Sequence, residues 1–189
     1  RLVGSEMCIR DSPGTSARFR CGGLSVEQQT ARLVASLYPT ELVTYRERSA
    51  EHPYLDDCLR LEPPDTKVLW VVSWGFDVPG LIQRLKGRRV AYHAHSSEYG
   101  FNLPPGVPVL AVSRNTLGYW GNKAPRNPLL LVPNALGQAW LDLGDRGDRS
   151  IGQRRPIDVL VQARKSSPYV LKQLVPALRQ AGLMVEVQT

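Results

Sequence analysis

Three short groupings in this chain could do chemistry. His93-Ala94-His95-Ser96 closes a run of strand-forming residues that begins at Arg89. An imidazole at a strand end can donate a hydrogen bond to a substrate hydroxyl or phosphate, or move a proton near neutral pH. Strand alternation would put His93 and His95 on one face. The His-x-His spacing also invites a metal, but no third ligand cluster stands out along the chain, so no metal is expected. Gly22-Gly23 stands before a helical pattern, with Arg18 and Arg20 just upstream. Glycines allow close backbone approach and helix-start amides attract anions, so this pair could cradle a phosphate or carboxylate, although two glycines before a helix more often form only a tight turn. Arg164-Lys165 lies directly before a helix-start signal at Ser166-Ser167-Pro168. Two cations beside free helix amides suit a diphosphate, although loop cations are also commonly just solvated.

The elements that must position these groups alternate between strand and helix. Ser25, with Gln28 at the capping-box position, is expected to start a helix whose apolar face is Val26, Thr30, Leu33, Val34 and Leu37, stopped by Pro39. Strands are expected at residues 42–45, 68–73, 89–93, 107–112 and 129–132. Helices are expected at residues 77–85 and after Ser113, and a loop with a short helical turn at residues 52–65. Near-continuous apolar strands separated by helices predict an α/β, Rossmann-like parallel sheet covered on both faces. In such sheets ligands bind at the carboxyl ends of the strands, which is where Ser73-Trp74, His93 to Ser96, Ser113-Arg114, Asn134 and Arg164-Lys165 fall. A polar, Gly-Asp-Arg-rich linker is expected over residues 137–156. It separates a first domain (13–136) from a strand–helix–strand unit (157–189) that opens a second, truncated Rossmann-like domain, with Pro176 kinking its helix. Residues 1–12 fit none of this. They resemble translated sequencing-adapter sequence and are expected to be a non-native tail that has overwritten the first strand.

Composition narrows the partners. The 189 residues carry a net charge of +7, with clusters at Lys86-Gly-Arg-Arg89 and Arg154-Arg155. A basic excess suits an anionic partner, but no nucleic-acid signature with interleaved aromatics occurs, so nucleic acid is not expected. Three cysteines form neither a zinc pattern nor a disulfide framework, which points to a reducing cytoplasm. The longest apolar run, residues 68–72, cannot span a membrane. There is no Gly-x-Gly-x-x-Gly fingerprint, no P-loop, no Gly-x-Ser-x-Gly elbow and no evident pair of catalytic carboxylates.

Taken in order, four segments resemble the retaining GT-B glycosyltransferases of the family four, or group 1, type. They are Cys21-Gly-Gly-Leu-Ser-Val-Glu-Gln-Gln-Thr-Ala-Arg-Leu33; Arg89-Val-Ala-Tyr-His-Ala-His-Ser96; Val109-Leu-Ala-Val-Ser-Arg114 with Leu130-Leu-Val-Pro-Asn134; and Asp158-Val-Leu-Val-Gln-Ala-Arg-Lys165. The resemblance implies an acceptor-side domain followed by the start of a donor-binding domain. In that family the Gly-Gly loop approaches the donor phosphates or the acceptor, the strand-end His contacts the transferred sugar, and an Arg/Lys pair neutralises the leaving diphosphate. Carried over, Gly22, Gly23, His95 or His93, Arg164 and Lys165 take those roles, and electrostatic stabilisation of the departing diphosphate is the main catalytic contribution.

Ala135 departs from the family's usual Gly after Pro-Asn, and the adjacency of Arg164 and Lys165 departs from its usual spacing. The family's Glu-rich donor motif is not in the chain, so these residues by themselves are expected to transfer no sugar. The nucleotide sugar is a substrate here, and no cofactor is expected. The acceptor could be a sugar, a glycan or a lipid-linked sugar; the last would bring the protein to the inner membrane face as a peripheral contact. Two other readings fit the same residues: a nucleotide-sugar 2-epimerase of the same fold, and a Rossmann-like module that binds or senses an anion without catalysis.

Overall fold

A computed structural model describes residues 7–19, 21–61, 63–64, 67–73, 75–97, 99–136, 138, 141–142, 156–163 and 166–188. The chain divides into two compact units, Arg1–Gln138 and Ala139–Thr189.

The first unit is a six-stranded, all-parallel sheet. Its strands are β1 (Met7–Ser12), β2 (Thr40–Thr44), β3 (Val68–Val72), β4 (Arg89–Ala94), β5 (Val109–Ala111) and β6 (Leu129–Leu131), in the spatial order β2-β1-β3-β4-β5-β6. The helices are α1 (Gly22–Ala35), α2 (Leu55–Leu61), α3 (Val78–Arg84) and α4 (Arg114–Lys123). From β1 the chain first moves outward to β2 through α1, then crosses back to β3 and travels the other way. Right-handed crossovers therefore put α1 on one face of the sheet and α3 and α4 on the other. The reversal between β1 and β3 is the topological switch point at which such sheets place ligands. The expected α/β, Rossmann-like architecture is what the chain adopts.

Two expectations need correction here. Residues 7–12 are not a tail apart from the fold: they are β1, paired in parallel register with β2 on one side (Ile9 opposite Glu41) and β3 on the other (Ile9 opposite Trp70). A sheet whose β3 must be shielded on both edges needs a strand there, and this segment meets the requirement because Ile9 is apolar and the two charged residues after it find buried partners. The second correction concerns α1. It begins three residues before Ser25, with Cys21 as N-cap, its Sγ accepting from the Leu24 N–H at 3.5 Å. Ser25 instead donates its hydroxyl back to the Cys21 carbonyl at 3.1 Å. The buried face is Leu24, Glu27 and Ala31, whereas Leu33 and Leu37 are exposed.

Strand alternation sorts β4 between the two faces. Tyr92 packs towards α4, edge-on to Trp120 with ring centroids 5.2 Å apart, and both side chains are fully buried. His93 and the residue two beyond it point the opposite way, towards α1. Ser113 caps α4 as expected, its Oγ accepting from the Thr116 N–H at 3.1 Å. Ser113→Ala should cost about 1 kcal/mol in urea-unfolding free energy, the usual worth of an N-cap; a loss below about 0.3 kcal/mol would show that the cap is idle.

The second unit pairs β7 (Val159–Gln162) in parallel with β8 (Val185–Gln188). A helix connects them, α-helical over α5 (Val175–Gln180) and widened to π geometry over Val170–Leu174. Pro176 explains the widening. It has no N–H to give and its ring would collide with a normal preceding turn, so the Val175 N–H reaches back five residues to the Val170 carbonyl. Val161, Val175 and Val185 form this unit's small core.

Candidate functional site

At the carboxyl ends of the strands, Glu27 joins the two histidines. It sits one turn and a half into α1, 1% exposed, where helical spacing carries it over β4. Its Oε1 meets both imidazoles: Nδ1 of His93, in a very short contact, and Nε2 of His95 at 2.6 Å. Its Oε2 accepts from Arg10 Nε at 2.7 Å. The two imidazole rings lie on one face with centroids 4.4 Å apart, the placement that alternation predicts. His93 is 1% exposed, while the His95 side chain keeps 13% of its surface and forms the open side of the cluster.

Burial alone would raise the Glu27 pKa. Hydrogen bonds from His93 and His95 and the charge of Arg10 outweigh it and hold the carboxyl far below the ordinary carboxylate range. Burial likewise opposes the Arg10 charge, and Glu27 more than offsets it, so Arg10 stays protonated. The cluster is thus an ionised carboxylate held among one cation and two imidazoles in a poorly solvated place.

Gly23 closes one side. A Cβ built there would lie 3.9 Å from His95 Cγ, so the first turn of α1 runs directly alongside the imidazole. Gly22 and Gly23 occupy the first two helical positions, and their N–H groups belong to the set that an α-helix leaves without intrahelical partners. One turn along the sheet, at the switch point, Asp11 accepts from both the N–H and the hydroxyl of Ser73, each at 2.8 Å. Its other oxygen is buried with no hydrogen-bond partner among the described residues. Burial pushes the Asp11 carboxyl up to about 7, against the lowering effect of Ser73.

The sequence-derived residues therefore divide. His93, His95 and Gly23 come together. Gly22 is exposed at the helix start. Arg164 and Lys165 lie outside the described residues, as does Arg20. The sequence reading missed Glu27, the hub of the cluster, and with it the third ligand-type side chain beside His-x-His; Glu27, His93 and His95 present ligand atoms within 4.8 Å of one another. The signal that could have found it is a carboxylate at the Leu24–Ala31 spacing, on the face that must pack on the sheet.

A concavity of about 720 Å³ opens at the opposite, amino ends of β3 and β4, between Lys86–Arg89 and Pro104–Pro108, away from this cluster. Among the described residues no helix is long and apolar enough to cross a membrane. No family model matches the chain, and neither does any curated protein or solved structure.

Proposed function

We propose that this chain is the acceptor-side domain, with the beginning of the donor domain, of a retaining nucleotide-sugar-dependent glycosyltransferase. One observation carries the reading: His95 at the end of β4 stands against Gly23 at the start of α1, at the carboxyl ends of a doubly wound parallel sheet. The exposed part of His95 hydrogen-bonds a hydroxyl of the sugar being transferred. Glu27, through its contact with His95 Nε2, sets the tautomer and aim of that ring. The free amides of the α1 start favour the negative charge that gathers on the leaving diphosphate. Arg164 and Lys165 take the clamp role in this reading, as the family resemblance implies.

Isothermal titration of the chain with GDP-mannose and UDP-glucose, and separately with inorganic diphosphate, tests the proposal. A nucleotide sugar should bind, and His95→Ala should weaken it by about tenfold or more, the loss of one good hydrogen bond to a charged or hydroxyl group. Equal binding of inorganic diphosphate and nucleotide sugar, unaffected by His95→Ala, would favour the plain anion-binding module. No binding of any of the three would remove the support for a sugar-nucleotide site.

A further inference from the structure

We propose that Glu27, His93 and His95 form a binding site for a divalent transition metal of the zinc class. The inference does not depend on the sugar-nucleotide reading. It starts from the convergence of three ligand-type atoms: Glu27 Oε1, His93 Nδ1 and His95 Nε2 lie within 4.8 Å of one another. Glu27 Oε1 can only accept, so both ring nitrogens that meet it donate a proton to it when no cation is present. A divalent cation can take the place of those two protons. Arg10 Nη2 lies 2.8 Å from His93 Nδ1, but a guanidinium can only donate and is no ligand.

A cation between the nitrogens and the oxygen would take the single lone pair of each nitrogen, and Arg10 Nη2 would then turn from His93 Nδ1. His95 Nε2, 2.6 Å from the same oxygen, converges on the same point and supplies a third ligand. Two of the donor atoms come from rigid elements, Glu27 on α1 and His93 on β4, and His95 directly follows β4. Around a tetrahedral ion with bonds of about 2.0–2.1 Å, ligand atoms stand roughly 3.3 Å apart, so each ring nitrogen must move about 1 Å or less from Glu27 Oε1. Arg10 Nε holds Oε2 at 2.7 Å and leaves Oε1 for the ion.

Ligand chemistry fixes the class. Two imidazoles and one carboxylate select zinc and its neighbours over magnesium or calcium, which want oxygen. Three protein ligands leave a fourth position, and it lies on the His95 side, where the cluster retains exposure. That position would take water or an oxygen atom of a bound ligand.

The test uses the chelator-stripped 189-residue chain, titrated with ZnCl₂ by calorimetry and with CoCl₂ by visible absorption. The expected result is one ion per chain, the intense absorption of tetrahedral cobalt, and an affinity for zinc far above that for magnesium. His95→Ala, at the partly exposed ligand and so compatible with folding, should weaken zinc binding by more than about 100-fold, beyond the usual loss from a mere supporting residue. His52→Ala, in the segment between β2 and α2, should leave it unchanged. Absence of zinc binding to the wild-type chain, binding insensitive to His95→Ala, or a preference for magnesium would each overturn the assignment.

Discussion

Glu27→Ala should lower the unfolding free energy by about 3–5 kcal/mol, the cost of leaving a buried partner charge uncompensated. Arg10, 4% exposed, has Glu27 as its ion-pair partner and would keep its charge in a place with little water. Two imidazole nitrogens would lose their shared acceptor at the same time, and the missing side chain would leave a void between α1 and β4. Glu27→Gln separates these contributions. It fills the same volume and keeps one acceptor oxygen, so its loss should be smaller and should report the charge together with one acceptor exchanged for a donor. Urea unfolding followed by tryptophan fluorescence is suited to the measurement, because Trp70 and Trp120 are both buried in the same core as the strands they report. A loss below about 1 kcal/mol for Glu27→Ala would mean that the cluster does not hold α1 on the sheet.

The second large effect is a dependence on pH centred on Asp11. Its carboxyl, ordinarily near 3.8, is pushed up to about 7 by burial at the end of β1. Between those values the folded chain holds a proton that the unfolded chain has released. Stability therefore falls as pH rises through that window and stays lower above it. For a carboxyl with these two values the fall between pH 5 and pH 8 is about 3 kcal/mol. The groups that bear on Asp11 are Ser73, which bonds to it; Glu27, which raises it further; Arg10, which opposes the rise; and Tyr45 and Tyr92, whose phenols are raised in part by its charge. Asp11→Asn keeps the acceptor for Ser73 and removes the charge. The wild type should lose about 3 kcal/mol more than Asp11→Asn across that pH range, with the two nearly equal at pH 5. Parallel pH profiles for the two proteins would show that Asp11 is ionised in the folded chain at no cost.

Much of the scaffold is legible in the residues because it rests on local signals. The apolar run at Val68–Val72 becomes β3, the run ending at His93 becomes β4, and Ser113 caps the helix that follows β5. Alternation along β4 correctly places both histidines on one face, since a period of two needs no knowledge of the partner. What is not legible depends on contacts distant in sequence. Glu27 reads as the polar side of α1 because carboxylates are rarely buried; only the approach of β4, 66 residues further on, gives it partners. The start of α1 at Gly22 is missed for a related reason, because Ser25 looks like a cap but spends its hydroxyl on the Cys21 carbonyl. Met7–Ser12 carries little strand signal of its own and becomes β1 because β2 and β3 pair with it from both sides.

The central claim is that Glu27, His93 and His95 line a ligand site at the carboxyl ends of the sheet. The chain has three histidines, so the imidazole ¹⁵N signals can be followed one by one in a long-range proton–nitrogen correlation spectrum. On titration with a nucleotide sugar, the His95 signals should move, His93 should follow through their shared Glu27, and His52, in the segment between β2 and α2, should stay in place. Movement of His52 alone, or no movement of His93 and His95 at nucleotide-sugar concentrations that saturate the calorimetric binding, would contradict the account.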